Sequence, residues 1–269
     1  MHRPSWFHPF RAAPLWHRLA LAVLPAMVLM LAVPPAASAQ QLTISAAASL
    51  TDAFKALAPQ FTSSRPGVTL RFNFAASGVL LQQLAYGAPV DVFASADQDT
   101  MDRAAAQNLI ASGSGSRSNF VSNSLVLIEP AQGGTGLKTL QDLSRPDVKR
   151  IAIGKPATVP VGRYTQQALT AAQLWPLLEL KLVQADSVRQ VLDYVSRGEA
   201  DAGFVYRTDA AIMGDKVRVV LALSTGAPVV YPVAVVADSA QPALAKDFVA
   251  FLNSASAQQT LGKFGFGKP

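Results

Sequence analysis

Short runs of β-branched and aliphatic residues alternate along this chain with longer stretches in which apolar residues recur every three or four positions. Runs of the first kind are typical of buried strands, and the second spacing is typical of amphipathic helices. Their alternation predicts an α/β fold in which most strands are parallel. The predicted strands occupy residues 42–46, 68–74, 90–95, 125–128, 150–153, 180–183, 202–206, 217–221 and 229–236.

Helical spacing of apolar residues is clearest in three segments. Gly198 follows the second of them, and a glycine just past a periodic segment is a common helix stop. A further short helix is predicted around residues 255–264 at the C-terminal end. The apolar positions that define the three segments are Leu50, Phe54, Leu57, Ala58 and Phe61; Val188, Val191, Leu192 and Val195; and Leu244, Phe248 and Leu252.

Two β-rich stretches, residues 120–128 and 229–236, lack the helix expected between neighbouring strands. A chain that builds two lobes has to cross from one to the other and return. We therefore interpret the first stretch as the outgoing crossing and the second as the returning one.

The N-terminal segment, residues 1–39, has the pattern of an export signal. Three arginines precede an apolar stretch at residues 19–33, and Ala37-Ser38-Ala39 resembles a cleavage site. Cleavage is expected near Ala39/Gln40, which places the mature chain in the periplasm. The three arginines supply half of the formal net charge of +6, so the mature chain is only mildly basic, and no nucleic-acid partner is expected.

The chain contains no cysteine, and its three histidines (His2, His8 and His17) all lie within the predicted export signal. The mature protein therefore cannot use a Ser-His-Asp triad, a cysteine nucleophile, or a metal held by histidine or thiolate. A lipid-anchored cleavage site is excluded as well, because it requires cysteine. An enzyme is the less favoured interpretation, and no cofactor is expected.

Several predicted strands end in small residues and hydroxyls instead of charged groups. In open α/β sheets ligands lie beyond the carboxyl ends of strands, and helix N-termini there offer unpaired N–H groups to an anion. Each position also has a structural interpretation: the serines as helix N-caps, the valines as core residues, and the tyrosine as a half-buried strand residue. The positions at these junctions are Ser49, Ser77, Val161, Val188 and Tyr206.

Acidic residues offer a weaker alternative. Asp91, Asp97 and Asp99 are close in sequence and could indicate a cation site, but we expect Asp97 to cap the following helix and Asp91 to be structural. A hydrolase that uses Ser49 or Ser77 would need a lysine base, and Lys55 is the only lysine near either serine in the sequence. An iron or other cation binder would need clustered tyrosines or carboxylates, whereas the five tyrosines are widely spaced.

The junctions resemble those of the periplasmic molybdate-binding proteins of ABC transporters. The strongest similarity is in A-A-A-S-L at residues 46–50 and G-A-P-V-D-V-F-A-S-A-D at residues 87–97. Shorter matching strings follow in order through most of the mature chain. They are F-A-A-S at 74–77, N-S-L-V at 123–126, V-P-V-G-R-Y at 159–164, G-F-V-Y at 203–206 and Y-P-V-A-V-V at 231–236.

This resemblance implies a two-lobed periplasmic binding protein fold of type II, with a ligand cleft between lobes joined by a two-strand hinge. The first lobe would comprise residues 40–121 and 233–269, and the second lobe would comprise residues 122–232. The expected ligand is molybdate or tungstate, with sulfate or another tetrahedral oxyanion as the alternative. The expected partners are an inner-membrane permease and its ATPase, and the protein itself is expected to be a monomer.

The same resemblance implies a role for each junction residue. Ser49 and Ser77 would bind the oxyanion through hydroxyl and backbone N–H groups, and Tyr206 through its hydroxyl. Val161 and Val188 would contribute only backbone N–H groups, so their side chains are nearly free to vary. One departure from the family pattern is Ser187, which stands where the family often has an acidic residue.

Overall fold

The computed structural model describes residues 40–269; the predicted export signal lies outside the described residues. The described residues form two five-stranded sheets with helices packed against them, which confirms the predicted α/β class. The strands are β1 (Gln40–Ala47), β2 (Val68–Ala75), β3 (Val92–Ala94), β4 (Arg117–Asn123), β5 (Leu125–Pro130), β6 (Ile151–Gly154), β7 (Leu182–Ala185), β8 (Ala202–Tyr206), β9 (Val217–Leu223) and β10 (Val229–Val235).

The helices connect these strands, and most follow the carboxyl end of one. They are α1 (Thr51–Thr62), α2 (Ser77–Ala85), α3 (Gln98–Ala106), α4 (Pro160–Ala171), α5 (Trp175–Leu178), α6 (Val188–Ser196), α7 (Arg207–Ile212), α8 (Pro242–Leu252) and α9 (Ala255–Lys263). Short 3-10 helices span Ala48–Leu50, Gln141–Ser144 and Glu179–Lys181. No helix among residues 40–269 is long and apolar enough to cross a membrane.

Each sheet is the centre of one lobe. The first has the order β2-β1-β3-β10-β4 and the second β7-β6-β8-β5-β9. In the first sheet β1 pairs in parallel with β2 and β3, while β10 runs antiparallel to its neighbours. In the second sheet β6 pairs in parallel with β7 and β8, while β5 runs antiparallel to its neighbours.

One of the two predicted crossings lies where it is predicted, and the other does not. The outgoing crossing falls within residues 120–128, because β4 ends in the first sheet at Asn123 and β5 begins in the second at Leu125. Residues 229–235 lie wholly within β10 in the first sheet, so the chain returns through residues 224–228. The lobe boundaries at 121/122 and 232/233 stay a prediction; the sheets themselves change at Ser124 and at residues 224–228.

Local sequence explains where the elements begin and end. Asp97 accepts a hydrogen bond from the Thr100 N–H and caps α3, as predicted. Gly198 has a φ of 69° just after α6, which confirms it as the residue past the helix end. One strand is shifted from its prediction: Leu180 is fully exposed in a 3-10 helix, and β7 begins only at Leu182.

The core of the first lobe contains a cluster of phenylalanines that joins α1 to α8. The Phe248 ring lies 5.9 Å from the Phe54 ring and 5.1 Å from the Phe61 ring, both edge to face. All three side chains are almost completely buried. This packing attaches α8 to α1, the helix that follows β1.

Candidate functional site

The carboxyl ends of the parallel strands in both sheets meet at one buried cavity between the lobes. Strands β1 and β2 lead into it from the first lobe, and β6, β7 and β8 from the second. All five residues predicted from the junctions lie on its wall: Ser49, Ser77, Val161, Val188 and Tyr206. The remaining lining residues are Ala47, Ala48, Ala75, Ala76, Ala96, Val159 and Pro160.

The cavity is small and its wall is electrically neutral. Its volume is about 10 Å³, taken as the space open to the centre of a water-sized sphere, which is about the space that one water molecule needs. None of its lining residues carries a charge. Among residues 40–269, four larger clefts of 320 to 600 Å³ on the same measure lie elsewhere and include none of the five predicted residues. The size and lining of this cavity suit a small ion better than an organic metabolite.

Four backbone amides at this cavity have no hydrogen-bond acceptor within residues 40–269. They belong to Ser49, Ser77, Val161 and Val188. Each residue lies in the first turn of a helix, where N–H groups lack partners inside the helix. Helix dipoles add partial positive charge at the same ends, so the cavity attracts an anion without a charged side chain.

The two serines do not act as N-caps. Ser49 lies inside the 3-10 helix and Ser77 is the first residue of α2, and neither helix start has a side-chain cap. The Ser49 hydroxyl instead lies 3.0 Å from the Tyr231 hydroxyl. The Ser77 hydroxyl accepts a hydrogen bond of 3.0 Å from the Ala96 N–H. Both serine hydroxyls thus have one partner on the protein side.

Tyr206 contributes the third hydroxyl. Its side chain is 1% exposed, and its hydroxyl donates to the Ala96 carbonyl oxygen over 3.4 Å, a long and therefore weak hydrogen bond. Burial raises the pKa of Tyr206 well above its usual value. The phenol consequently stays protonated at neutral pH and can donate to an anion.

The departure at Ser187 does not disturb the helix start beside the cavity. Ser187 is the N-cap of α6, and its hydroxyl accepts a 3.2 Å hydrogen bond from the Gln190 N–H. The Gln190 side chain in turn accepts from the Asp186 N–H. Serine therefore does what an aspartate does at an N-cap, but it brings no negative charge to the anion cavity.

Two arginines connect the lobes on either side of the cavity. Arg163 in α4 contacts Asp97 in the first lobe at 2.5 Å. Arg189 in α6 lies 2.8 Å from Asp52 in α1 and 2.7 Å from the fully buried Asp209 in α7, although neither contact has hydrogen-bond geometry. Their charges are matched by carboxylates, so neither arginine adds free positive charge to the cavity.

The acidic residues near the first lobe have structural partners. Asp91 accepts from the Thr43 N–H and from the Ser239 hydroxyl, which ties β1 to the segment before α8. Lys55 is exposed on α1 and does not line the cavity, so it has no contact with either serine. Within residues 40–269 no group of three or more acidic, histidine or cysteine side chains could hold a metal ion.

Sequence reasoning missed the residues that support the site. Tyr231 and Asn123 were noted only within strings that match the family, and the pairing of Arg163 with Asp97 was not foreseen. Their partners are remote in sequence; Ser49 and Tyr231 are 182 residues apart. Such pairs leave no periodic signal in a single sequence. The only signal for the ion pairs in the sequence is that it contains both acidic and basic residues.

Known proteins resemble this chain along nearly all of its described length. Residues 42–267 match the family model described as bacterial extracellular solute-binding protein. The molybdate-binding protein ModA of Mycobacterium tuberculosis is 38% identical over 238 residues, which is 87% of each chain. ModA of Escherichia coli is 36% identical over 231 residues, 84% of this chain and 88% of that protein.

A solved structure has the same architecture. The periplasmic molybdate-binding protein of Azotobacter vinelandii superposes with a TM-score of 0.72 at 26% identity, over 85% of this chain and 99% of that one. The family model, the relatives and the shared architecture all cover the two lobes and the cavity between them. This chain belongs to the bacterial extracellular solute-binding protein family.

Proposed function

We propose that this protein is the solute-binding component of an ABC importer and captures molybdate and tungstate in the cavity between its lobes. The observation that carries the proposal is a small neutral cavity onto which four unpaired amides and three hydroxyls converge. The relatives that are named for molybdate binding support the choice of ion. The proposed ligand contacts are those of Ser49, Ser77, Val161, Val188 and Tyr206.

The proposal includes no catalytic step and no cofactor. A serine nucleophile needs a general base, and within residues 40–269 neither cavity serine contacts a lysine. Their partners are a tyrosine hydroxyl and a backbone amide, and neither is a base at neutral pH. The metal enters and leaves only as the centre of its oxyanion, so it is cargo.

The remaining parts of the proposal concern location and partners. The export pattern of residues 1–39 supports a periplasmic protein that is cleaved near Ala39/Gln40. We propose that the protein is a monomer and delivers its anion to a permease and its ATPase. The mass of the protein purified from the periplasmic fraction tests the cleavage position. Light scattering after size exclusion tests the monomer.

Isothermal titration with molybdate, tungstate, sulfate and phosphate tests the choice of ligand. We expect saturable 1:1 heat with molybdate and tungstate, and a melting temperature that rises with excess molybdate because the ligand stabilises only the folded state. If titration gives no heat with molybdate but clear heat with sulfate, the assignment is overturned in favour of a sulfate-binding protein. The same neutral donors can also bind sulfate.

A further inference from the structure

Tyr231 is a completely buried tyrosine of β10 that does not line the cavity but touches a residue that does. Its hydroxyl lies 3.0 Å from the Ser49 hydroxyl and 3.2 Å from the Asn123 side-chain nitrogen. These are its only hydrogen-bond partners among residues 40–269. Asn123 is the last residue of β4. Asn123 and Tyr231 therefore link β4 and β10, the two strands next to the crossings between the lobes, to Ser49 at the proposed anion site.

The orientation of Asn123 follows from its neighbours. Its side-chain oxygen accepts a 2.9 Å hydrogen bond from the Ser124 N–H. Its nitrogen donates to the Thr208 hydroxyl at 2.9 Å and to the Tyr231 hydroxyl at 3.2 Å. Exchanging the amide oxygen and nitrogen would set N–H groups against the Ser124 N–H, which is unfavourable. Asn123 is therefore a donor to Tyr231.

The proton of Tyr231 then has one destination. A phenol has a single proton, and its oxygen already accepts from Asn123. A buried hydroxyl proton without an acceptor is costly, and the Ser49 oxygen is the remaining partner. Because burial raises the pKa of Tyr231 well above its usual value, the phenol keeps its proton. Tyr231 consequently donates to Ser49.

Ser49 is left with its oxygen occupied and its proton unassigned. No other acceptor for that proton exists among residues 40–269, and the hydroxyl lies on the cavity wall. Ser77 has the same polarity, because its oxygen accepts from the Ala96 N–H. Both serines therefore have their hydroxyl proton available to the cavity.

We infer that Asn123 and Tyr231 form a donor relay that orients the Ser49 hydroxyl toward the bound oxyanion. The inference rests on the proposed function, because it concerns the same site. Asn123 and Tyr231 are positioning residues: neither lines the cavity, and each acts through Ser49. Without the Asn123 donor, the Ser49 proton can turn to the Tyr231 oxygen, and the serine then presents lone pairs to the anion. Without the Tyr231 hydroxyl, no group of the protein holds the Ser49 hydroxyl in one orientation.

A double-mutant cycle between Tyr231→Phe and Ser49→Ala, read by titration with molybdate, tests the relay. The phenylalanine keeps the ring and removes the hydroxyl. We expect Ser49→Ala to bind molybdate at least about tenfold more weakly than wild type, since a hydrogen bond to a charged partner is lost. Tyr231→Phe should bind molybdate more weakly than wild type by a smaller factor, because the Ser49 hydroxyl remains but is no longer held in one orientation. The double variant should bind no more weakly than Ser49→Ala alone, because the relay acts only through that hydroxyl.

Tyr86→Phe is the matched control, because Tyr86 is 91% exposed and far from any hydrogen bond of the relay. It should bind as wild type does. If the losses of molybdate affinity in the two single variants add up in the double variant, the relay is overturned even though the protein binds the anion. If wild type binds only sulfate, the proposed ligand is wrong and the same cycle run with sulfate decides the relay. A chain that binds none of the four anions overturns both.

A second variant covers the case in which Tyr231→Phe does not fold. Asn123→Ala removes the donor to Tyr231 without adding a charge near the anion site, so the Tyr231 oxygen is free to accept the Ser49 proton. We expect this variant to bind molybdate more weakly than wild type does. Combined with Ser49→Ala, it should bind molybdate no more weakly than Ser49→Ala alone. An equal loss in both backgrounds overturns the relay, because a purely structural role of Asn123 would not depend on Ser49.

Discussion

Gly78 and Thr158 contact each other backbone to backbone across the cleft. The Gly78 N–H in α2 donates to the Thr158 carbonyl oxygen, which precedes α4 in the other lobe, over 2.9 Å. A Cβ at position 78 would lie 2.6 Å from that oxygen and 2.8 Å from the Thr158 Cα. Glycine is therefore required here by the approach of the lobes, next to the proposed ligand residue Ser77.

Gly78→Ala should lower molybdate affinity at least about tenfold, because the added methyl holds the lobes apart and the donors of the second lobe no longer reach the ion. The variant should unfold at the same or a slightly higher denaturant concentration, since alanine is the better helix former. Titration and urea unfolding of the anion-free protein measure the two effects.

Gly262→Ala is the matched control for this substitution. Gly262 is also helical, lies in α9, and has no atom within 4 Å of its virtual Cβ. It should bind molybdate as wild type does. Tight binding by the Gly78→Ala variant, equal to that of the control, would show that the lobes do not need this contact.

The ion pair of Arg163 and Asp97 is a second contact that depends on closure. The two side chains are 18% and 5% exposed, and Arg163 also donates to the Thr100 hydroxyl at 2.6 Å. Removing one partner of a largely buried pair leaves the other charge without compensation. Arg163→Gln should therefore weaken molybdate binding at least about tenfold by favouring the open form.

Fluorescence energy transfer can measure that opening directly. Because the chain has no cysteine, Tyr86→Cys and Leu180→Cys place two dyes on exposed positions of different lobes. Arg163→Gln should lower the transfer at subsaturating molybdate. The control Arg145→Gln removes an exposed pair with Asp147 inside one lobe and should change neither transfer nor affinity. If wild type, Arg163→Gln and Arg145→Gln all show equal energy transfer, the contact of Arg163 does not help to close the lobes.

Asp209 should give stability an unusual pH dependence. It is completely buried in α7, and burial raises its pKa from 3.8 to about 6 although Arg189 opposes the shift. The pKa of Asp209 is higher in the folded state than in the unfolded state. At a pH between these two pKa values, the native state therefore binds this proton more tightly than the unfolded state does. The contribution of Asp209 to the free energy of unfolding therefore falls as the pH rises from about 4 to about 6.

Asp209→Asn isolates this contribution, because asparagine has the same shape and does not titrate. The free energy of unfolding of wild type minus that of the variant should decrease by about 2 kcal/mol between pH 4 and pH 7. Urea unfolding at half-unit pH steps measures the difference. A constant difference across this range would mean that Asp209 titrates at its ordinary value.

Val188 offers a test of a single backbone donor. It is the first residue of α6, where proline is tolerated, and Ser187 before it is extended, as a residue preceding proline prefers. Val188→Pro removes the amide proton and should lower molybdate affinity at least about tenfold, while Val188→Ala keeps the amide and should bind nearly as wild type does. Equal affinities of the two variants in titration would argue against an amide contact at this position.

Ser49→Asp should abolish binding, because it places a carboxylate against the oxyanion inside a cavity without a cation. Ser49→Ala should cost about 1.5–3 kcal/mol, the usual loss of a hydrogen bond to a charged partner. Titration of both variants with molybdate compares the two effects. Wild-type affinity in the aspartate variant would place the anion elsewhere.

Much of the fold could be predicted because it depends on local pattern. The strand at residues 202–206 and the helix after Ser187 follow from runs and spacing of apolar residues, which report burial directly. The outgoing crossing is expected within residues 120–128, but its position at Ser124 could not be found this way, because β4 and β5 both contain buried apolar residues although they lie in different sheets. The hydrophobic pattern shows that a segment is buried but not which sheet it joins.

The sequence by itself determined the candidate site residues, since small residues, hydroxyls and unpaired amides at strand ends are local features. Only the tertiary structure decided which partners they have. The contacts of Ser49 with Tyr231, of Gly78 with Thr158 and of Arg163 with Asp97 each join segments far apart in the chain. A local pattern carries no information about such pairs, because they exist only where two separately folded sheets bring their strand ends together.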